Sequence, residues 1–283
     1  MSYIILTPVK NEAKTIKNVI ASVVCQSVQP VLWVIIDGNS TDRTREILTE
    51  LTEHIPWIRR IHQRKFSDRG SHANVALAMQ EAYEYATKYC EHNNITFDYV
   101  WTIDGDQMMS MNTCGGIVEK MQQDTAIGAA SGKVFNPDGS IDTYPPGELS
   151  NKRVYKRVSL EAIGGFPYSD YSFDTVILAK LRMRGYKIVA FPEFTISNLR
   201  SDSGIERNAW KSAVQFGKAR YYLGYSLPLM VMGCGYMAMK LQIVKALGVA
   251  VGYLPDYIFG KDHIPDVEIW KHFRYDRLKE VLK

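Results

Sequence analysis

The chain has 283 residues, 46% hydrophobic and 23% charged, the profile of a folded globular protein with a sizeable core. Its formal net charge is +4 and no basic run interleaves with aromatics, which argues against a nucleic-acid binder. Four scattered cysteines (Cys25, Cys90, Cys114, Cys234) form no CxxC pair and read as reduced thiols of a cytosolic protein, not a zinc site or disulfide frame.

In chain order, Tyr3 to Leu6 is a short apolar strand that starts too early for a signal peptide to precede it. It runs into Thr7-Pro8-Val9-Lys10-Asn11-Glu12. A helix follows, with Ile16, Val19, Ile20, Val23 and Val24 at helical spacing. Val31 to Ile36 is a second strand, ending in Asp37-Gly38-Asn39-Ser40-Thr41-Asp42. Ser40 or Thr41 can cap the next helix, with Ile47, Leu48 and Leu51 facing inward. Trp57 to His62 reads as a third strand. A helix from about Asn74 to Cys90 is lined by Val75, Ala78, Met79, Ala82 and Ala86. Tyr99 to Ile103, β-branched and aromatic, is a buried strand that stops at Asp104-Gly105-Asp106. Asn112 caps a helix carrying Ile117, Val118 and Met121, and Ile127 to Phe135 is a further strand. Asn136 to Asn151 is rich in Pro, Gly and Asp and reads as a mobile loop near the site. A helix from Asp174 to Arg184 stops at Gly185, before a strand over Tyr186 to Phe191.

Alternating strands and helices imply an α/β fold, a mostly parallel sheet with helices on both faces. In such sheets ligands bind beyond the carboxyl ends of the strands. The loops after Leu6, Ile36 and Ile103 fall there, all polar and two of them acidic. In an extended backbone Asp104 and Asp106 point the same way, and Gly105 leaves room for a close ligand. Two acids beside apolar sequence are costly unless something positive lies between them. A divalent cation with oxygen ligands answers that, with a bound diphosphate supplying further ligands. The plain alternative is an acidic turn.

Taken in order, Thr7-Pro8-Val9-Lys10-Asn11-Glu12, Asp37 to Asp42, Gly70 with Asn74, Asp104-Gly105-Asp106, Gly164-Gly165-Phe166 and Asp174 with Leu178, Leu181 and Gly185-Tyr186 resemble the family 2 glycosyltransferases of GT-A (Rossmann-like) fold. The resemblance implies an inverting transfer of a sugar from a nucleotide-diphosphate donor to an acceptor hydroxyl or phosphate. It implies that Thr7, Pro8, Glu12, Asp37, Asn74, Asp104 and Gly105 form the donor site, with Asp37 accepting from the base, either uracil or guanine. Asp106 would coordinate Mn²⁺ or Mg²⁺, and Asp104 would face the ribose or the metal. Asp174 matches the general base, although Phe173 replaces the Glu the family usually has before it. Asn198 stands where many members carry a metal-binding His, as a carbonyl-oxygen ligand or as none. Arg200 is a candidate to help neutralise the leaving diphosphate. A sugar nucleotidyltransferase, which would carry a glycine-rich loop in place of residues 7–12, and a non-catalytic sugar-nucleotide-binding or membrane-associated protein are the alternatives.

The expected division is a catalytic domain over residues 1–205 and a helical, partly apolar region over 206–283. Trp210 to Gly224 reads as a helix with a basic edge. The apolar run from Ser226 to Met239 is interrupted by Lys240 and Lys245 and resumes over Ala246 to Leu254. No uninterrupted segment approaches the ~20 residues of a membrane-spanning helix. Helices lying on a bilayer, with Tyr221, Tyr222, Tyr225 and Tyr253 at its interface, compete with an oligomer contact or ordinary packing. The first is favoured, as a peripheral contact on the cytoplasmic face that suits a lipid-linked acceptor.

Overall fold

Two apolar runs become interior strands of the sheet, β1 (Tyr3–Val9) and β2 (Leu32–Asp37). They pair in parallel with each other, and with β3 (Ile58–His62) and β4 (Tyr99–Thr102) on either side. Parallel strands covered on both faces read as continuous hydrophobic sequence, and every residue of β2 is buried. The computed structural model describes residues 2–141, Leu149, 153–200 and 209–282. The chain divides into two compact units, Met1–Ser201 and Asp202–Lys283. The boundary expected between residues 205 and 206 lies outside the described residues, as do residues 142–148 and 150–151 of the expected loop.

The first unit completes its sheet with β5 (Gln107–Met109), β6 (Ile127–Phe135), β7 (Arg153–Lys156) and β8 (Lys187–Asn198), in the order β3-β2-β1-β4-β7-β6-β8-β5. The sheet is mixed: β7 runs antiparallel to both β4 and β6, and β5 antiparallel to β8. Neither β5 nor β7 is legible beforehand. Arg-Val-Tyr-Lys has only two apolar residues, and its pairing comes from the neighbours. β8 runs past the expected end at Phe191 through Pro192. Its register on β6 jumps from Gly132↔Phe191 to Lys133↔Thr195, so the proline falls in an irregularity where no ladder bond is required.

Helices cover both faces. On one, α1 (Ile16–Val24), α2 (Thr44–Thr52) and α4 (Thr113–Gln123) pack on Ile5, Trp33, Ile35 and Trp101. On the other, α3 (Ser71–His92) and α6 (Phe173–Met183) pack on Ile4, Leu6, Val34 and Val100. The short α5 (Arg157–Glu161) follows β7. Three local expectations fail. Neither Ser40 nor Thr41 caps α2, which starts after Arg43; their polar groups bond the 10–12 loop instead. Asn112 precedes α4 but makes no side-chain cap bond. Val75 is exposed rather than part of the inner face of α3, whose buried residues include Ala78, Met79, Ala82 and Ala86.

The second unit is helical: α7 (Ala209–Leu223), α8 (Leu227–Met239), α9 (Ile243–Ile258), α10 (Val267–Lys271), a π-helical turn (His272–Asp276) and α11 (Arg277–Leu282). Among the described residues no helix is long and apolar enough to cross a membrane.

Candidate active site

Strand ends and two helix starts build a cleft of about 520 Å³ in the first unit. β1 delivers Pro8, Lys10 and Glu12, β2 delivers Gly38, the turn after β4 delivers Asp104, Gly105 and Asp106, and α6 delivers Asp174 from its first turn. Asn74 enters from the start of α3, and Arg200 from just beyond β8. The backbone bends to do this. Asn11, Asn39 and Ser172 have φ of 58°, 61° and 47°. Asn tolerates this left-handed region; Ser172, immediately before α6, occupies it at a cost of roughly 1 kcal/mol.

Asp104 and Asp106 share the cleft, but not because the strand carries them there. β4 ends at Thr102, and residues 104–106 form a turn. The side-chain amide of Gln107 donates to Asp104 Oδ2 at 2.9 Å, and its carbonyl accepts from the Asp104 backbone N–H at 2.9 Å. Gly105 likewise serves the protein before any ligand. A Cβ there would lie 2.8 Å from Glu12 Cγ and 3.0 Å from Val9 Cγ1. Gly105→Ala is therefore expected to lower stability by about 1–3 kcal/mol, read as a lower denaturant midpoint with an unchanged slope. An unmoved midpoint would show that Glu12 swings aside freely.

Arg200 ties the acids together. Its Nη2 donates to Glu12 Oε1 at 2.7 Å and to Asp106 Oδ2 at 3.0 Å, and its Nε reaches Asp106 Oδ2 at 3.2 Å. Two carboxylates thus converge on one cationic point. Burial pushes the Glu12 carboxyl up, against the lowering pull of the Thr15 hydroxyl and the Arg200 guanidinium. The Thr15 hydroxyl lies 2.9 Å from Glu12 Oε2 and 2.9 Å from the Gly105 carbonyl, linking the β1 and β4 loops.

Asp174 is held by a residue that spacing did not mark. Arg153 of β7, wholly buried, donates through Nη2 to Asp174 Oδ2 at 3.4 Å and through Nη1 to the Asp174 carbonyl at 3.2 Å. It also bonds the Leu149 carbonyl at 3.2 Å. Tyr155, two residues along, lines the cleft beside Phe173. Burial pushes its phenol up to about 12, so it is a neutral donor at physiological pH. Gln63 is a further unforeseen lining residue, bonding the Lys65 and Asn74 carbonyls. The Asn74 side chain closes the 67–70 loop through Ser67 and Gly70.

Thr7, Asp37 and Asn198 stand apart from these. None is among the described residues that line the cleft. Thr7 is fully buried and accepts from Trp33 Nε1 at 2.9 Å, a strut inside the sheet. Asp37, at the end of β2, accepts from Arg45 Nε at 2.6 Å and from the Ser40 backbone N–H, which sets the loop that presents Gly38. Asn198 donates to Asn136 Oδ1 at 2.8 Å and sits opposite Gln107 in the β5–β8 ladder. Arg45 carries no positional signal eight residues beyond Asp37; only the helix that follows the loop turns it back.

The profile of glycosyl transferase family 2 matches residues 4–169, ending short of Asp174 and Arg200. Over 201 residues the chain is 22% identical to a poly-beta-1,6-N-acetyl-D-glucosamine synthase of Staphylococcus aureus, covering 63% of this chain and 45% of the synthase. The chain thus spans less than half the length of the curated relatives it matches. Two similar solved structures share the GT-A architecture. S. aureus TarS 1–349, solved with UDP-GlcNAc, superposes with a TM-score of 0.57 at 15% identity, covering 99% of this chain and 82% of TarS. The mannosyltransferase PcManGT of Pyrobaculum calidifontis, solved with GDP-Man and Mn²⁺, gives 0.56 at 15% identity, covering 99% and 80%. At these identities they establish the fold.

Proposed function

Because the chain belongs to glycosyl transferase family 2, we propose that it transfers a sugar from a nucleotide-diphosphate donor with inversion, using the cleft of the first unit. The observation that carries this reading is one cavity lined by Glu12, Asp104, Asp106, Asp174 and Arg200 at the carboxyl ends of the strands.

The donor set fits a hard divalent cation with few protein ligands. Glu12 and Asp106 already converge on one positive centre, the Arg200 guanidinium. Among the described residues no group of three or more His, Cys, Asp or Glu could hold a metal alone. Asp106, with Asp104 beside it, would hold Mg²⁺ or Mn²⁺, whose other sites go to diphosphate oxygens and water. Such an ion would offset the negative charge that grows on the leaving diphosphate. Asp106→Ala is expected to abolish the metal-dependent part of donor binding. An unchanged metal response in that variant would remove Asp106 from the metal's ligands.

The chain's own residues have distinct tasks. Asp174 takes the proton from the acceptor hydroxyl as the new bond forms. Arg153 fixes that carboxylate. Gln63 and Asn74 shape the donor side, and Asp37 sets the loop holding Gly38. Arg200, if a bound cation satisfied Asp106, would keep Glu12 and could turn the donors released from Asp106 to the diphosphate. A phosphate acceptor, such as a lipid-linked one, arrives already ionised and would lean less on Asp174.

The test is a thermal-shift panel of UDP-, GDP- and dTDP-sugars with and without Mn²⁺. The true donor raises the melting temperature by mass action. TarS was solved with UDP-GlcNAc and the mannosyltransferase with GDP-Man, so both bases enter the panel. If no sugar nucleotide shifts the transition under either condition, the reading fails.

A further inference from the structure

Helix α9 of the second unit is built the wrong way round for a helix facing water. Its packed side is small. A Cβ on Gly252 would lie 2.0 Å from the Val214 carbonyl oxygen, and one on Gly248 would lie 2.5 Å from Ala213 Cβ. On α7, a Cβ on Gly217 would lie 2.1 Å from the Val249 carbonyl oxygen. Backbones meet here almost without side chains between them, a way of packing common where large apolar groups have no need to turn inward.

The large aliphatic residues turn outward instead. Ile243, Val244, Leu247, Val251, Leu254 and Ile258 are exposed, at the spacing of one helical stripe. The α8–α9 turn extends this surface with Met239 and Leu241, which are 83% and 86% exposed. Leu241 has φ of +59°, where Gly or Asn would sit without strain. A leucine in that conformation, touching water, costs the fold stability twice. An isolated exposed leucine is ordinary, but a continuous face of this length is not.

Charge says what covers it. From Ala209 to Pro255 the chain has five cations (Lys211, Lys218, Arg220, Lys240, Lys245) and no acidic residue. Lys240 and Lys245 flank the exposed leucine, and both are themselves exposed. A second copy of this surface would bring like charges together. An anionic bilayer would take the apolar stripe among its acyl chains and the lysines among its headgroups. We propose that the α8–α9 turn and the outer face of α9 are a bilayer-docking surface selective for anionic lipid. The inference does not rest on the transfer reading, since its test measures no transfer.

Flotation of the full chain with vesicles decides it, phosphatidylcholine alone against phosphatidylcholine and phosphatidylglycerol in equal parts. The chain should float with the mixed vesicles, less so as salt rises. Leu241→Asn with Val244→Gln keeps a residue suited to the left-handed turn. It should fold as the parent does by circular dichroism and bind at least tenfold more weakly. Lys240→Gln with Lys245→Gln should lower binding to the mixed vesicles roughly thirtyfold, at about 1 kcal/mol per lysine. A parent chain that stays at the bottom with both vesicles overturns the proposal, as does parental flotation of the Leu241 variant. So does a dimer, seen in sedimentation, that the Leu241 variant abolishes while vesicles capture neither protein.

Discussion

Asp174→Asn is expected to leave donor binding intact and to lower sugar transfer to a hydroxyl acceptor by about 10²–10⁴-fold. The amide keeps the size and one oxygen of the carboxylate but cannot accept a proton at any physiological pH. The side chain of Asp174 is a third exposed and lines the same cleft as Asp104, Asp106 and Glu12, so its loss touches acceptor chemistry more than the fold. Donor affinity by thermal shift, run beside a single-turnover transfer assay, separates the two effects. Transfer at the parent rate, with the donor binding as before, would show that another group takes the proton. A normal rate with a phosphate acceptor and a lost rate with a hydroxyl acceptor would keep the assignment and identify when the base is needed.

Arg153→Leu is expected to be the more damaging change to the protein itself. The guanidinium is wholly buried and bonds the Asp174 carboxylate, the Asp174 carbonyl and the Leu149 carbonyl. Leucine fills part of the space and leaves those acceptors without their donor. Removing one partner of a buried pair costs about 3–5 kcal/mol; because Asp174 is a third exposed, the low end applies here. Transfer is expected to fall as well, since the proposed base Asp174 loses the group that orients it. Combining Arg153→Leu with Asp174→Asn gives a clean readout. The stability losses should fall short of additive by more than ~0.5 kcal/mol, because both changes break the same contact. Additive losses would mean that Arg153 supports the fold through its backbone partners alone. In that case Asp174 is placed by α6.

Much of this arrangement could be foreseen, and the reasons differ from residue to residue. β1 and β2 carry their own evidence because both faces are buried, so their apolar runs are unbroken. The acids at 104 and 106 mark a strand end wherever the strand goes. Gly185, at φ +82°, stops α6 where a left-handed residue is required. By contrast, β7 and the extension of β8 past Pro192 depend on partners distant in the chain, and no local pattern encodes a partner. The buried pairing of Arg153 with Asp174 has the same origin. So does the change of role at Thr7, whose hydroxyl serves Trp33.

Chemical identity was therefore decided along the chain: which residue types stand at the ends of which strands, and in which order. Three-dimensional packing alone decided who holds whom. Arg200 bridges Glu12 and Asp106 across separations of 188 and 94 residues. It also leaves the aliphatic side of α9 outward, opposite the glycines that let two backbones close on each other. Local sequence fixes period and chemistry, whereas contacts at long separation depend on how surfaces fit, and fit is a property of the folded whole.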